Sequence, residues 1–272
     1  MHKRHNIKFY QLRYNFKIMN ILLVVILGLL SGAVINYLAD VLPVQRKLAT
    51  PTCTACGAPF KVQNYLSFTP CQSCHAKRSW RSYFVLVASL MVAVSLWTWP
   101  PAIGFWLSML ILTYFGVVAV IDIEHRLIMH MVSLAGAVLF AVVGTILHGW
   151  WTTLLGGLVS GGIMLIFYLV GTLFAKYRAK KLGVDDDEEA LGFGDVTISA
   201  VLGLLLGWPN IMLALVIGIL LGGLFSLAMI IGLSIMRRYD AMNVFTAYGP
   251  FLLIGSVMML FFREQVLHLF FG

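Results

Sequence analysis

The stretch AIGFWLSMLILTYFGVVAVI, residues 102–121, runs twenty residues without a charge before Asp122 closes it. At about 1.5 Å of rise per residue, a helix of that length crosses the roughly 30 Å hydrocarbon layer of a bilayer. Period-two alternation is absent, and lipid offers the backbone no hydrogen-bond partner, so the segment predicts a helix. Further apolar runs lie at 18–39, 84–99, 127–147, 152–175, 196–207, 211–235 and 249–262. Trp99-Pro100-Pro101 and Trp208-Pro209-Asn210 punctuate them as turns. Trp97, Trp99, Trp150, Trp151 and Trp208 gather at the run ends, the headgroup level where amphipathic rings settle. The expected fold is an all-α polytopic membrane protein of about eight transmembrane helices.

The composition agrees. Of 272 residues, 60% are hydrophobic and only 11% charged, against about 25% charged in soluble domains. An ordinary soluble enzyme is excluded. The formal charge of +8 is dispersed rather than clustered with aromatics, so a lipid bilayer is the expected partner and no nucleic acid is. With alternating loops, thirteen of the 19 Lys and Arg fall in loops 40–83, 122–126, 176–195 and 236–248. That face is expected to be cytoplasmic, although the basic N-terminal tail argues the other way. The tail also has the charge of a signal-peptide n-region, but the apolar run behind it is long and lacks an Ala-x-Ala site, which favours an uncleaved first span.

Acidic residues in such a chain need a reason, because an ionised carboxylate at membrane depth costs about 2.5–3.5 kcal/mol. Of eleven, five form the run Asp185-Asp186-Asp187-Glu188-Glu189, read as a solvated loop that could steer a basic ligand. Asp122 ends the third run and Asp195 opens the sixth, within Gly192-Phe193-Gly194-Asp195-Val196. Alternating topology puts both at the same cytoplasmic depth. Two facing carboxylates can share a proton, one acting as base on water and the other as acid toward a carbonyl. The plainer reading is that each anchors a helix end. His125 is expected to be interfacial, and Glu124 to face away from Asp122.

The four cysteines form two Cys-x2-Cys pairs, Cys53/Cys56 and Cys71/Cys74, separated by fourteen residues. That pattern suits one tetrahedral Zn2+ held by four thiolates. Two disulfides are the competing reading, which a reducing cytoplasm disfavours. A four-thiolate sphere is closed, so the metal would be structural, with His75 surplus to it.

The segments Asp122-Ile123-Glu124-His125-Arg126-Leu127-Ile128 and Gly192-Phe193-Gly194-Asp195-Val196 resemble the two catalytic motifs of the type IV prepilin peptidases, membrane aspartic proteases of the Gly-x-Gly-Asp class. Gly28-Leu29-Leu30-Ser31-Gly32 with Asn36 and Leu42-Pro43 resembles the family's N-terminal block, and Gly249-Pro250-Phe251 its C-terminal element. The resemblance implies Asp122 and Asp195 as the catalytic pair. It further implies cleavage of type IV prepilins or pseudopilins after a glycine ending a short basic leader, on the cytoplasmic side of the bacterial inner membrane. Many members then methylate the new N-terminus with S-adenosylmethionine. Val41, Thr54, the triplet Phe68-Thr69-Pro70 and Thr197 depart from the family pattern. All but Thr197 lie in the N-terminal block and first loop, the region the family links to methylation.

The expected organisation is an N-terminal tail and first helix (1–41), a small zinc-binding cytoplasmic loop domain (42–83) and a seven-helix peptidase core (84–272). Two rivals keep the same residues for other work. One is a transporter using Asp122 and Asp195 as a proton or cation site, the other a non-catalytic pilus or secretion assembly protein.

Overall fold

The computed structural model describes residues 2–182, 192–235 and 248–271. The acidic run Asp185–Glu189 lies outside them. Among the described residues the regular structure is helical, apart from an isolated bridge between Thr52 and Pro59. In chain order the helices are α1 (His2–Gln45), α2 (Val62–Leu66), α3 (Trp80–Thr98), α4 (Phe105–His125), α5 (His130–His148), α6 (Trp150–Leu182), α7 (Phe193–Leu206), α8 (Asn210–Ile235), α9 (Gly249–Phe261) and α10 (Arg263–Phe271).

This is an all-α polytopic membrane protein, with fewer full crossings than the eight apolar runs suggest. Six helical segments are long and apolar enough to cross a bilayer: Asn20–Gln45, Trp80–Thr98, Phe105–His125, His130–His148, Trp150–Tyr177 and Asn210–Gly232. A seventh is reached if α9 and α10, bent by 101° at their junction, count as one. The sixth run is the correction. It forms α7, whose 14 residues reach only about 21 Å. Its apolar character comes from burial inside protein. Nine of those 14 residues are buried, and α5, α6, α8 and α9 all pack against it. A helix enclosed on every side is hydrophobic all round whether or not it spans a membrane.

The chain divides into two compact units, Met1–Val120 and Ile121–Gly272. In the first, α1 packs on α3 through the Gly28/Gly32 pair. A Cβ on Gly28 would meet Ala93 Cβ at 3.0 Å, and one on Gly32 would meet Leu86 Cα at 3.1 Å, the close approach that small residues four apart permit. Asn36, fully buried on α1, donates to the Ser82 carbonyl of α3 at 3.0 Å. The cysteines belong to this unit, and no separate loop domain stands out among the described residues.

In the second unit α6 and α7 pack through Gly156 and Gly203, where neither position has room for a side chain. Ser160 of α6 donates to the Ser199 carbonyl of α7 at 2.9 Å. Glycines thus let the helices approach closely at both contacts.

Candidate functional site

Asp122 sits in the last turn of α4 and Asp195 in the first turn of α7. Arg126 ends α4 by adopting a left-handed backbone (φ 50°) while its N–H donates to the Asp122 carbonyl at 2.8 Å, an αL closure. Helix α7 begins at Gly192, whose carbonyl accepts from the Asp195 N–H at 3.0 Å. The free N–H groups of that first turn favour a negative charge at Asp195.

Both side chains are buried, Asp122 at 4% exposure and Asp195 at 8%. They lie within electrostatic reach of each other. Asp122 Oδ2 is buried with no hydrogen-bond partner among the described residues. Such an oxygen is costly in protein and available to a water or an incoming carbonyl.

Three glycines give the pair its room. A Cβ on Gly194 would lie 2.7 Å from Ile128 Cβ, one on Gly222 2.6 Å from the Tyr248 ring, and one on Gly249 would run into Asp122 Oδ2. Tyr248 secures the last of these. Its hydroxyl donates to the Ile219 carbonyl of α8 at 3.1 Å, and its own carbonyl accepts from Phe251 N at 3.1 Å, starting α9 next to Gly249. Thr197 turns its hydroxyl back onto the Gly194 carbonyl at 2.8 Å and has Ser133 Oγ at 3.5 Å. His125 is exposed and lies 4.0 Å from Glu124, as an interfacial side chain would.

Sequence reasoning did not assign roles to Ile128 or Tyr248. Neither type announces chemistry, and only the fold brings them to the aspartates.

The four cysteines also converge. Cys53 Sγ is 3.7 Å from Cys74 Sγ, Cys56 Sγ is 3.6 Å from Cys71 Sγ, and all four sulfurs lie within 4.8 Å of one another. Those gaps are too long for disulfides. They match the edge of a tetrahedron with metal–sulfur bonds of about 2.3 Å, an edge of about 3.8 Å. The cluster can hold a metal ion.

Each pair sits on the same turn. Gly57 N donates to Cys53 O at 2.8 Å and Cys53 N to Ala58 O at 2.8 Å; His75 N donates to Cys71 O at 2.9 Å and Cys71 N to Ala76 O at 3.0 Å. The residue after each second cysteine is left-handed, Gly57 at φ 73° and His75 at φ 55°. Backbone N–H groups of Cys74 and Ser73 hold the Cys71 thiol low, at about 6. Those of Ala55 and Cys56 lower Cys53. At Cys74 the Ala76 N–H also favours the thiolate, but Cys56, burial and the other sulfurs push the thiol up to about 12. Turns that favour thiolates, around sulfurs that resist joint ionisation, form a donor set for a cation.

The segment is fastened to its unit through Asp40, to which the sequence gave no role. Asp40 accepts from Tyr65 Oη at 2.5 Å, Arg78 Nη2 at 3.1 Å and Arg81 Nη2. The Arg78 guanidinium lies 4.2 Å from the Tyr65 ring centre, with Phe60 and Phe68 each at 5.6 Å. Burial first, then the Asp40 carboxylate, pushes the Tyr65 phenol up, so it stays a donor.

Comparison with known proteins bears on the aspartates. Residues 109–227 match the type IV leader peptidase family. The prepilin leader peptidase/N-methyltransferase of Aeromonas hydrophila is 31% identical over 203 residues, 72% of this chain and 63% of that protein. The same-named protein of Aeromonas salmonicida (strain A449) is 28% identical over 202 residues, with the same shares. That of Pectobacterium carotovorum subsp. carotovorum is 30% identical over 165 residues, 58% of this chain and 52% of the relative. The chain thus spans at most 63% of the length of these relatives. No solved structure matches it. The matched segment contains α7 and the end of α4, with Asp122 and Asp195 both inside it, and over that segment this chain is similar to the type IV leader peptidase family.

Proposed function

We propose that the protein is a membrane aspartic endopeptidase that removes the short basic leader from type IV prepilins or pseudopilins. The carrying observation is the pair of buried aspartates on separate helices, within electrostatic reach of each other. In this reading one carboxylate takes a proton from a water, whose oxygen bonds to the scissile carbonyl carbon. The other, protonated, gives its proton to the carbonyl oxygen. The second carboxylate takes back a hydroxyl proton as the tetrahedral diol collapses, the C–N bond breaks, and the amine leaves with the proton held by the first carboxyl. The two groups titrate as one unit.

The eleven Lys and Arg in loops 40–83, 122–126 and 176–195 support an active site facing the cytoplasm of a bacterial inner membrane. The metal is proposed to be Zn2+, held by Cys53, Cys56, Cys71 and Cys74. It would brace the loop without touching substrate, because four thiolates leave no open position. Methylation of the new N-terminus with S-adenosylmethionine is the second step carried by the relatives' names.

The deciding experiment is incubation of the purified chain with a prepilin-type substrate, its products read by mass spectrometry. Cleavage after the leader supports the reading, and an added methyl on the mature product supports the second step. An intact substrate with wild-type protein, or a product that persists in Asp122→Asn, refutes the peptidase reading and favours a proton- or cation-site role for the pair.

A further inference from the structure

Ile128 lies in the four-residue link 126–129 between α4 and α5 and is half-buried. Its inner side rests on two glycines, each beside a different aspartate. A Cβ on Gly194 would meet its Cβ at 2.7 Å and Cγ1 at 3.2 Å, and one on Gly249 would come to 3.7 Å of its Cδ1. Gly194 precedes Asp195, and the Gly249 position is bounded on its other side by Asp122 Oδ2. One branched side chain thus touches the starts of α7 and α9, each next to a buried carboxylate. Branching at Cβ restricts its χ1, so it does not swing aside freely.

We infer that Ile128 is the specificity-determining residue of this site: it narrows the approach to Asp122 and Asp195 so that only a residue without a Cβ can present its carbonyl there. The inference rests on the peptidase reading for its substrate. Attack requires the scissile carbonyl within about 3–3.5 Å of the reacting water. Carbon atoms need about 3.5–4 Å between them, and Ile128 carbons already stand against Gly194 and near Gly249, beside the two aspartates. Glycine on the acyl side of the scissile bond meets both demands, whereas alanine brings its methyl into Ile128.

The test uses the full chain in detergent with two prepilin peptides, one with glycine and one with alanine before the scissile bond. Ile128→Ala should raise kcat/KM for the alanine peptide at least about tenfold, the low end of what one methyl group discriminates. Ile128→Val should fall between, the readout being the ratio of kcat/KM for the alanine peptide to that for the glycine peptide. A second readout needs no activity: modification of Asp122 and Asp195 by a water-soluble carbodiimide, located by mass spectrometry. It should accelerate several-fold in Ile128→Ala while exposed Glu264 reacts as before. Unchanged carbodiimide rates at both aspartates, or an unchanged glycine preference in both variants, overturns the inference. Wild-type protein that cleaves neither peptide while Ile128→Ala speeds the labelling refutes the peptidase reading alone and supports closure of the cleft by Ile128.

Discussion

The four-cysteine cluster and the aspartate pair are built by opposite means. The cysteines span 53–74 and rely on two short turns that repeat the same hydrogen bonds at the same offsets. Local chemistry carries them most of the way together. The aspartates lie 73 residues apart in sequence on separate helices, and the one that carries Asp195 is enclosed by α5, α6, α8 and α9. Their spacing depends on positions such as Gly194, Gly222 and Gly249, where one methyl group has no room. Damage to the first site should therefore stay local and respond to metal, whereas damage to the second should be unforgiving of any added atom.

The largest effect expected is from Asp122→Asn and Asp195→Asn. Each would remove half of the proposed proton-sharing pair, and general acid–base contributions of about 10²–10⁴-fold would make cleavage undetectable in an ordinary assay. Metal content should be untouched. A variant that kept more than about a tenth of wild-type kcat would contradict the assignment of that residue.

Next is Gly249→Ala, whose methyl would overlap Asp122 Oδ2. A displacement of about 1 Å at a reacting group costs about 10²-fold, so kcat should drop steeply in protein that still inserts and still holds its metal. Unaltered kcat would mean that the Gly249 backbone does not set the Asp122 position.

Cys71→Ser probes the other side of the comparison. We expect metal content, measured by elemental analysis, to fall well below one ion per chain and the loop 46–79 to become sensitive to protease. Cleavage should decline far less than in the aspartate variants. If Cys71→Ser silenced cleavage as completely as Asp122→Asn, the two sites would not be separable.

Acid should make the same distinction more gently. Metal binding requires thiolates, and although the backbone holds Cys71 at about 6, Cys74 stands at about 12. Lowering the pH returns protons to sulfur and favours release, so metal retention should fall as pH drops and recover when pH is restored with metal present. Retention independent of pH would argue against thiolate ligation.

The smallest effect belongs to the two turns themselves. His75 holds a left-handed backbone that Gly57 adopts at less cost, so His75→Gly should leave metal bound and stabilise the turn by up to about 1–2 kcal/mol. Gly57→Val should weaken metal binding. Opposite outcomes in a chelator competition would show that the turns are not equivalent.

The membrane character, the helical fold, the cysteine cluster and the two aspartates were legible in the chain, each for a physical reason. Twenty apolar residues in a row have few alternatives to a buried helix, and paired Cys-x2-Cys turns position sulfur through backbone bonds a few residues long. A carboxylate at the edge of an apolar run is conspicuous because its burial is costly. Those signals are local, so a one-dimensional reading can register them. Helix α7 defeated that reading because hydrophobicity records burial without saying whether lipid or protein does the burying. Asp40 was visible as an acid, but its partners Tyr65, Arg78 and Arg81 are 25 to 41 residues away. Ile128, Tyr248 and the glycines beneath them look like ordinary packing until helices from distant parts of the sequence meet. The chain by itself determined which groups can ionise or ligate, since ionisation and thiolate ligation are properties of the residues. Only tertiary structure decided how close those groups stand and what covers them, because distance and exclusion belong to atoms brought together by packing.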